Sequence, residues 1–554
     1  MICEKRLFAA MALLLSPCIR AQPSRAPGND TISKDQLRAD LFYLAGDAMR
    51  GRLTGTHEYS LAAAFVASRF ERMGLKAAGH DGTFFHRFDL VVSELAAGNR
   101  MVIHAGLPAS RTLNLHEDFY PLIFSASAKA RGKVVFAGYG IHAPGLGWSD
   151  YAGHPIRGNI ALILDGDPGA NDPKSPFDGL VTSEYANVLR KAMWAQEHGA
   201  AGVMVVGGGG SRGTDSFPAA ARGYWPVKPP IISKYTLAAY ARRIQIPAMQ
   251  VSPALVGELL RAGGKSLAGL REQSEKGGGS ATAALGGDVE IEAALTRSVV
   301  EDRSPVAMIE GADPEAKKEA ILVSGHYDHN GATPEQIFNG ADDNGSGTVA
   351  LLEIAEAYAL AAQQGQRPRR TVIFASWGSE ERCCGPLLGA WAWVEDPLWP
   401  LEKTVAVLNM DMIGRSEDVP AGGGGRFNGL PLQTAAQNAN NVHVMGYSFS
   451  PDLSAAVTEA NRHLDLGLVR KYDNNRSNLL RRSDQWPFLQ RSVPALFFHT
   501  GLHPDYHTQF DRPERIDYAK MERIARLVHQ LSWNLAQSAA RPKFSSPRVI
   551  PPPE

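Results

Sequence analysis

Residues 321–347, ILVSGHYDHNGATPEQIFNGADDNGSG, decide how the chain is read. Ile321, Leu322 and Val323 form a short apolar run of the kind a buried strand needs, and it ends in His326-Tyr327-Asp328. A Gly-rich turn then presents Asp342-Asp343-Asn344 just before a long helical pattern. Imidazole and carboxylate suit a zinc-like divalent ion, and the seam between a strand end and a helix start leaves such side chains free to converge. The stretch reads as half of a metal site, so the other half must come from other strand ends.

Working outward, strand-like runs at 320–324, 371–376, 404–409 and 493–499 alternate with helical patterns at 347–362 and 518–536. This alternation predicts an α/β fold with a wound mixed β-sheet covered by helices on both faces. Leu37, Leu41, Leu44 and Ala45 recur at helical spacing, and a second amphipathic pattern runs from about Glu58 to Met73 with Gly74 as its stop. Both helices are expected on the same sheet. The polar turn between them, Arg50-Gly-Arg-Leu-Thr-Gly-Thr56, reads either as a border of the site or as a plain interhelical loop.

From about residue 100 the texture changes to short β-like runs at 101–104, 132–137, 159–164, 202–206 and 246–251, with helical patterns at 185–199 and 253–262. Closely spaced turn signals make this a smaller β-rich insertion. The expected organisation is a signal segment at 1–21, a discontinuous core at 31–98 and 289–540, and an inserted domain at 99–275. A Gly/Ser/Ala linker at 276–288 and a Pro-rich tail at 541–554 complete it. Residues 206–213 formally contain G-x-G-x-x-G after a strand. However, Ser216-Phe-Pro218 interrupts the helix that such a fingerprint requires and no GK[ST] is present, so the stretch reads as a surface loop.

At 554 residues the chain exceeds one ordinary core, and 57 basic residues balance 57 acidic ones. A net charge of zero offers no electrostatic case for nucleic acid or an anionic membrane. Basic residues near Met1, an apolar run at 7–15 and a small residue at Ala21 form a secretory pattern. The run is too short to span a bilayer, and no later stretch approaches that length, so an exported, periplasmic or extracellular protein without a transmembrane segment is expected. Leu15-Ser-Pro-Cys18 matches a lipoprotein cleavage box only loosely, because Pro17 stands where glycine or alanine is normal. Cys383-Cys384 reads as two small apolar residues, or as a strained vicinal disulfide or an additional metal ligand.

In a wound α/β sheet, functional groups gather at the carboxyl ends of the strands. There the sequence places His326 and Asp328, then Glu380-Glu381, then Asp411, and finally Asp505-Tyr-His507. Each alone fits an ordinary role, as a surface pair, a helix cap or a satisfied core histidine. Together they place carboxylates beside buried strands, where a lack of partners is costly. Two zinc ions sharing a carboxylate fit the set. Asp343 fits as the bridge, with His326 and Asp411 on one metal and Glu381 and His507 on the other. Asp328 would fix the His326 imidazole, and Glu380 would act as general base. Spacing alone leaves open Asp342 against Asp343 and the order of the Glu pair.

These motifs carry a resemblance. Gly325-His-Tyr-Asp-His329, Gly340-Ala-Asp-Asp-Asn-Gly-Ser-Gly347, Ser379-Glu-Glu381, Asn409-Met-Asp-Met-Ile-Gly414, Ser483-Asp484 and Tyr506-His-Thr508, with Asp511 and Ile516-Asp517, are similar to the M28 di-zinc aminopeptidase family. The resemblance spans the early helices and 289–536, while the insertion resembles a protease-associated domain. It implies a zinc-exopeptidase fold, two zinc ions, peptide or protein N-termini as substrate, Asp343 as the bridge, Glu380 as base with Glu381 as ligand, and Tyr506 as donor to a developing oxyanion. The chain departs from the family where Glu-Glu-x-Gly-Leu-x-Gly-Ser is usual: Arg382-Cys-Cys-Gly-Pro-Leu-Leu-Gly-Ala390 carries three extra residues. The same fold also serves carboxypeptidases, dipeptidases, glutaminyl cyclases and receptor-like proteins without activity. The complete two-metal set argues against the last two.

Overall fold

The computed structural model describes residues 25–104, 110–153, 156–177, 179–181, 183–207, 216–228, 230, 233–261, 264–276, 283–381 and 387–545. The signal pattern, the cysteine pair and the last nine residues lie outside these, as does most of the Gly-rich stretch after Val206.

The expected strands form at Ala320–His326, Thr371–Trp377, Thr404–Met410 and Ala495–His499. Their apolar runs have no polar face, so they occupy a parallel sheet centre closed on both sides. The order is Thr371–Trp377, Ala320–His326, Thr404–Met410, Ala495–His499, with Leu295–Ile309 and Asn441–Met445 added antiparallel at the two sides. Phe85–Leu95 pairs with Leu295–Ile309 from Leu95↔Leu295 to Phe85↔Pro305, making a long two-stranded ribbon.

Helices cover the two faces. On one, Lys34–Leu44, His57–Arg72, Gly347–Gln363 and Tyr518–Gln537 bury Leu37, Leu41, Val66, Phe70, Leu351, Ile354, Ile524 and Leu531 against the sheet. On the other, Leu388–Glu395 and Gln485–Leu489 pack Trp393 and Phe488 against Trp377. The parallel strands thus all deliver their carboxyl ends to one rim.

Residues 100–292 hold a second sheet of eight strands with its own apolar cores. Its parallel centre is Lys129–Phe136, Ile160–Leu164, Gly202–Val206 and Ala248–Val251. Two findings differ from the expected boundaries. Composition suggests a linker at 276–288 and a core beginning at 289, yet Ala283–Glu292 is a strand of this second sheet, paired with both Arg100–Ile103 and Lys129–Phe136. Its small residues fit because the register shifts between Ala284 and Asp288, where the glycines sit. Conversely, Tyr235–Leu237 leaves the insertion and pairs with Phe85–Leu95 in the large sheet. Among the described residues, no helix is long and apolar enough to cross a membrane.

Candidate metal centre

The turn that opens the site is built by glycine. Gly340 has φ 58°, and a Cβ there would lie 2.3 Å from the Asp343 carbonyl oxygen and 2.3 Å from the His329 ring. The backbone N–H groups of Asp342 and Asp343 donate to the Asp511 carboxylate at 2.9–3.1 Å. Asn344 Nδ2 donates to Met410 O at 2.9 Å, while its Oδ1 accepts from Gly347 N at 2.8 Å. One asparagine therefore ties the turn to a neighbouring strand end and caps the helix behind it.

This turn separates the two adjacent aspartates. Asp342 points away from the centre, accepting from Gly414 N at 2.6 Å and facing His503 Nε2 at 3.2 Å. Asp343 points inward, with Oδ1 3.4 Å from His326 Nε2 and Oδ2 2.9 Å from His507 Nε2. Its two oxygens thus face two different imidazoles.

Around His326 Nε2 stand also Asp411 Oδ1 at 3.6 Å and Glu380 Oε2 at 3.9 Å. Around His507 Nε2 stands Glu381 Oε2 at 3.2 Å. Asp328 accepts the backbone N–H groups of Glu380 at 2.9 Å and Glu381 at 3.1 Å, and lies 3.5 Å from His326 Nδ1. It therefore holds the glutamate turn as well as bordering the imidazole. Tyr506 stacks on His507 with centroids 3.8 Å apart.

Sequence reasoning gave no role to three further residues. His329, three positions after His326, is fully buried with Nδ1 2.8 Å from Glu381 Oε1, and joins Asp343 and Glu381 in a ligand-like group. The signal was the second histidine of the quoted motif. Asp484 is fully buried, and neither carboxylate oxygen makes a hydrogen bond among the described residues. Arg52 is fully buried and donates to four carbonyls, of Tyr327 at 2.7 Å, Leu44 at 2.9 Å, Asn339 at 2.7 Å and Gly340 at 2.9 Å. The turn at 50–56 thus borders the site. Nothing local marks Arg52, because its partners come from distant segments.

The electrostatics separate the two glutamates. Burial pushes the Glu380 carboxyl well above its usual range against the attraction of His326, and repulsion from Glu381, Asp484 and Asp411 acts in the same direction as burial. Burial acts the same way on Glu381, but His507 and His329 hold it well below that range. His507 is pushed up to about 10, burial being overcome by Glu381 and Asp343. Burial and then the Asp343 and Glu381 charges raise the Tyr506 phenol, which keeps its proton.

This donor set fits zinc. His326 Nε2 and Asp411 Oδ1 are buried and make no hydrogen bond among the described residues, and several carboxylates crowd beside them. Buried charges require partners, and nitrogen and oxygen ligands at this spacing are those zinc takes.

Fold and centre together set two groups of residues that could hold metal ions at the rim of an α/β sheet. Residues 306–532 match the model of peptidase family M28. It is 32% identical over 177 residues to a probable glutamate carboxypeptidase AMP1 of Arabidopsis thaliana, covering 31% of this chain and 22% of the relative. A probable leucine aminopeptidase of Arthroderma otae is 26% identical over 231 residues, 40% of this chain and 56% of that one. The first curated relatives are thus matched over about a fifth of their own length. Among solved structures, the aminopeptidase from Aneurinibacillus sp. strain AM-1 aligns over 95% of this chain and 98% of its own, at TM-score 0.47 and 16% identity.

Proposed function

We propose that the protein is an exported two-zinc exopeptidase that releases N-terminal amino acids from peptides. The observation that carries this reading is Asp343, whose two oxygens face two different imidazoles, of His326 and His507. His326 and Asp411 would hold one zinc, Glu381 and His507 the other, and Asp343 both. Bound there, zinc supplies Lewis acidity toward water and a scissile carbonyl.

The chain's own residues do the rest. Glu380 receives a proton from the attacking water and delivers it to the leaving amine, a role suited to a carboxyl whose proton affinity is raised. Glu381 stays ionised, oriented by His329. Asp328 fixes both through their backbone N–H groups. Tyr506, protonated beside His507, donates to the oxyanion. The insertion, a protease-associated domain in this reading, lies against the rim through Trp486 Nε1, which donates to Glu184 Oε1 at 2.8 Å.

Similarity to a probable glutamate carboxypeptidase favours a second reading, cleavage from the C-terminal side or of dipeptides. Aminoacyl-anilides tested against N-blocked peptides separate the two. Turnover of the anilides is expected, and turnover of blocked peptides alone overturns the aminopeptidase reading. Metal analysis of purified protein should find about two zinc ions per chain.

A further inference from the structure

Ser379, directly before the glutamate pair, is fully buried and has φ 54°, a left-handed backbone that costs a non-glycine residue on the order of 1 kcal/mol. Something must hold it there. Its hydroxyl donates to Asp302 Oδ2, and Thr54 Oγ1 lies 3.0 Å from the same hydroxyl. Asp302, 1% exposed, accepts further from Tyr59 OH and from Arg303 N at 2.6 Å. Tyr59 is itself fixed by stacking on Tyr327, whose hydroxyl donates to Arg303 O at 2.7 Å. Ser304 Oγ accepts from Gly378 N at 3.2 Å, and a Cβ at Gly378 would lie 2.2 Å from Tyr59 OH. The turn is thus gripped from the early helix, the 50–56 loop and the strand Leu295–Ile309.

We infer that Asp302 is a positioning residue for the Glu380-Glu381 turn, acting through the hydroxyl of Ser379. It touches no ligand of the proposed centre. Of its three donors, Ser379 is the one that directly precedes the glutamate pair, whereas Tyr59 reaches the site only by stacking on Tyr327. With Asp328 holding the two glutamate N–H groups from the other side, the turn is clamped at consecutive residues 379, 380 and 381. Loss of the Asp302 grip lets Ser379 relax toward an ordinary φ, and the Glu380 carboxylate swings with it. This inference rests on Glu380 being the base.

The test is Asp302→Asn in the full-length zinc-loaded protein. A displacement near 1 Å at a reacting group costs up to about 100-fold, so kcat should fall ~10- to 100-fold with KM within about twofold of wild type and zinc content unchanged. In the metal-free protein, amides of residues 378–381 should exchange with deuterium faster than in wild type. Adding Ser379→Gly to Asp302→Asn should recover part of kcat, because glycine adopts the left-handed backbone without the grip. A folded, zinc-loaded variant with kcat within about twofold of wild type overturns the inference, as does a loss fully reversed by added zinc. Should Asp302→Asn not fold, Ser379→Ala, which removes the hydroxyl through which Asp302 acts, carries the same expectations. Glu380→Gln is the control: if it retains hydrolysis, the base assignment fails. If it is inactive while the grip variants are unchanged, only the positioning role fails.

Discussion

At the scale of single residues, the centre works by giving neighbours opposite tasks. Asp342 and Asp343 share a turn, yet one faces Gly414 and His503 and the other faces two imidazoles. Glu380 and Glu381 share another, yet their proton affinities move in opposite directions. Glu380→Gln keeps the volume and removes the proton acceptor, so kcat should drop ~100- to 10,000-fold while the zinc content from elemental analysis stays at the wild-type level. His329→Ala removes the group that orients Glu381, and chelator competition should show the weaker-held zinc bound ~10- to 100-fold less tightly. His326, Asp328, Glu380, Glu381 and Asp411 reach one rim because each closely follows an apolar run that ends there, while Asp343 comes from the turn before Gly347–Gln363 and Tyr506-His507 from the loop after Ala495–His499. Arg52, Asp302 and Asp484 were not legible in this way. Each is a lone charge with partners that lie tens to hundreds of positions away, and only folding brings these together.

Among the elements, the strands were the most legible, because a short continuous apolar run inside a strand of five to seven residues, bounded by turn signals, is too short for a buried helix and too apolar for a loop. The strand Ala283–Glu292 was hidden by its small residues, which resemble a linker until pairing on both sides is seen. The helix Gly347–Gln363 hides a different feature. Its Glu353 is 3% exposed, accepts from Ser33 N at 3.2 Å, and burial raises its carboxyl to about 7. A pKa raised on folding means that the folded state binds the proton more tightly than the unfolded chain. The group's contribution is therefore fully present below the unfolded value near 4.5 and is lost as pH rises toward 7. Glu353→Gln keeps an acceptor for Ser33 and carries no charge to bury. It should stabilise the protein at pH 8 by about 1–2 kcal/mol and leave stability near pH 4.5 little changed. Denaturant titrations at the two pH values give the comparison, and equal shifts at both would remove burial of charge as the cause.

For the molecule as a whole, the question is how two sheets with separate cores behave as one body. The ribbon of Phe85–Leu95 and Leu295–Ile309 leads from one to the other. Its far end is tied by Arg297, which donates to the carbonyls of Phe124 at 3.1 Å and Ser125 at 2.6 Å. Tyr235–Leu237 joins the large sheet, and the helix Ala238–Arg243 that follows meets Glu395. That carboxylate accepts from Tyr240 OH at 3.1 Å, from Arg243 Nη1 at 2.9 Å and from Arg491 Nη2, so one partly buried acid joins two residues of the insertion to one of the large sheet's own segment. Glu395→Ala leaves two guanidinium groups facing each other without their shared acceptor. Both guanidinium groups are partly exposed and can rehydrate, so the loss costs about 1 kcal/mol, equivalent to ~5-fold in an opening equilibrium. Amides of 238–243 should therefore exchange with deuterium faster by that factor, whereas those of Ile160–Leu164, deep in the second sheet, should keep the wild-type rate. Equal acceleration in both segments would mean that the second sheet has lost its own stability, and no acceleration in either would place the docking in the strand pairing of Tyr235–Leu237 alone.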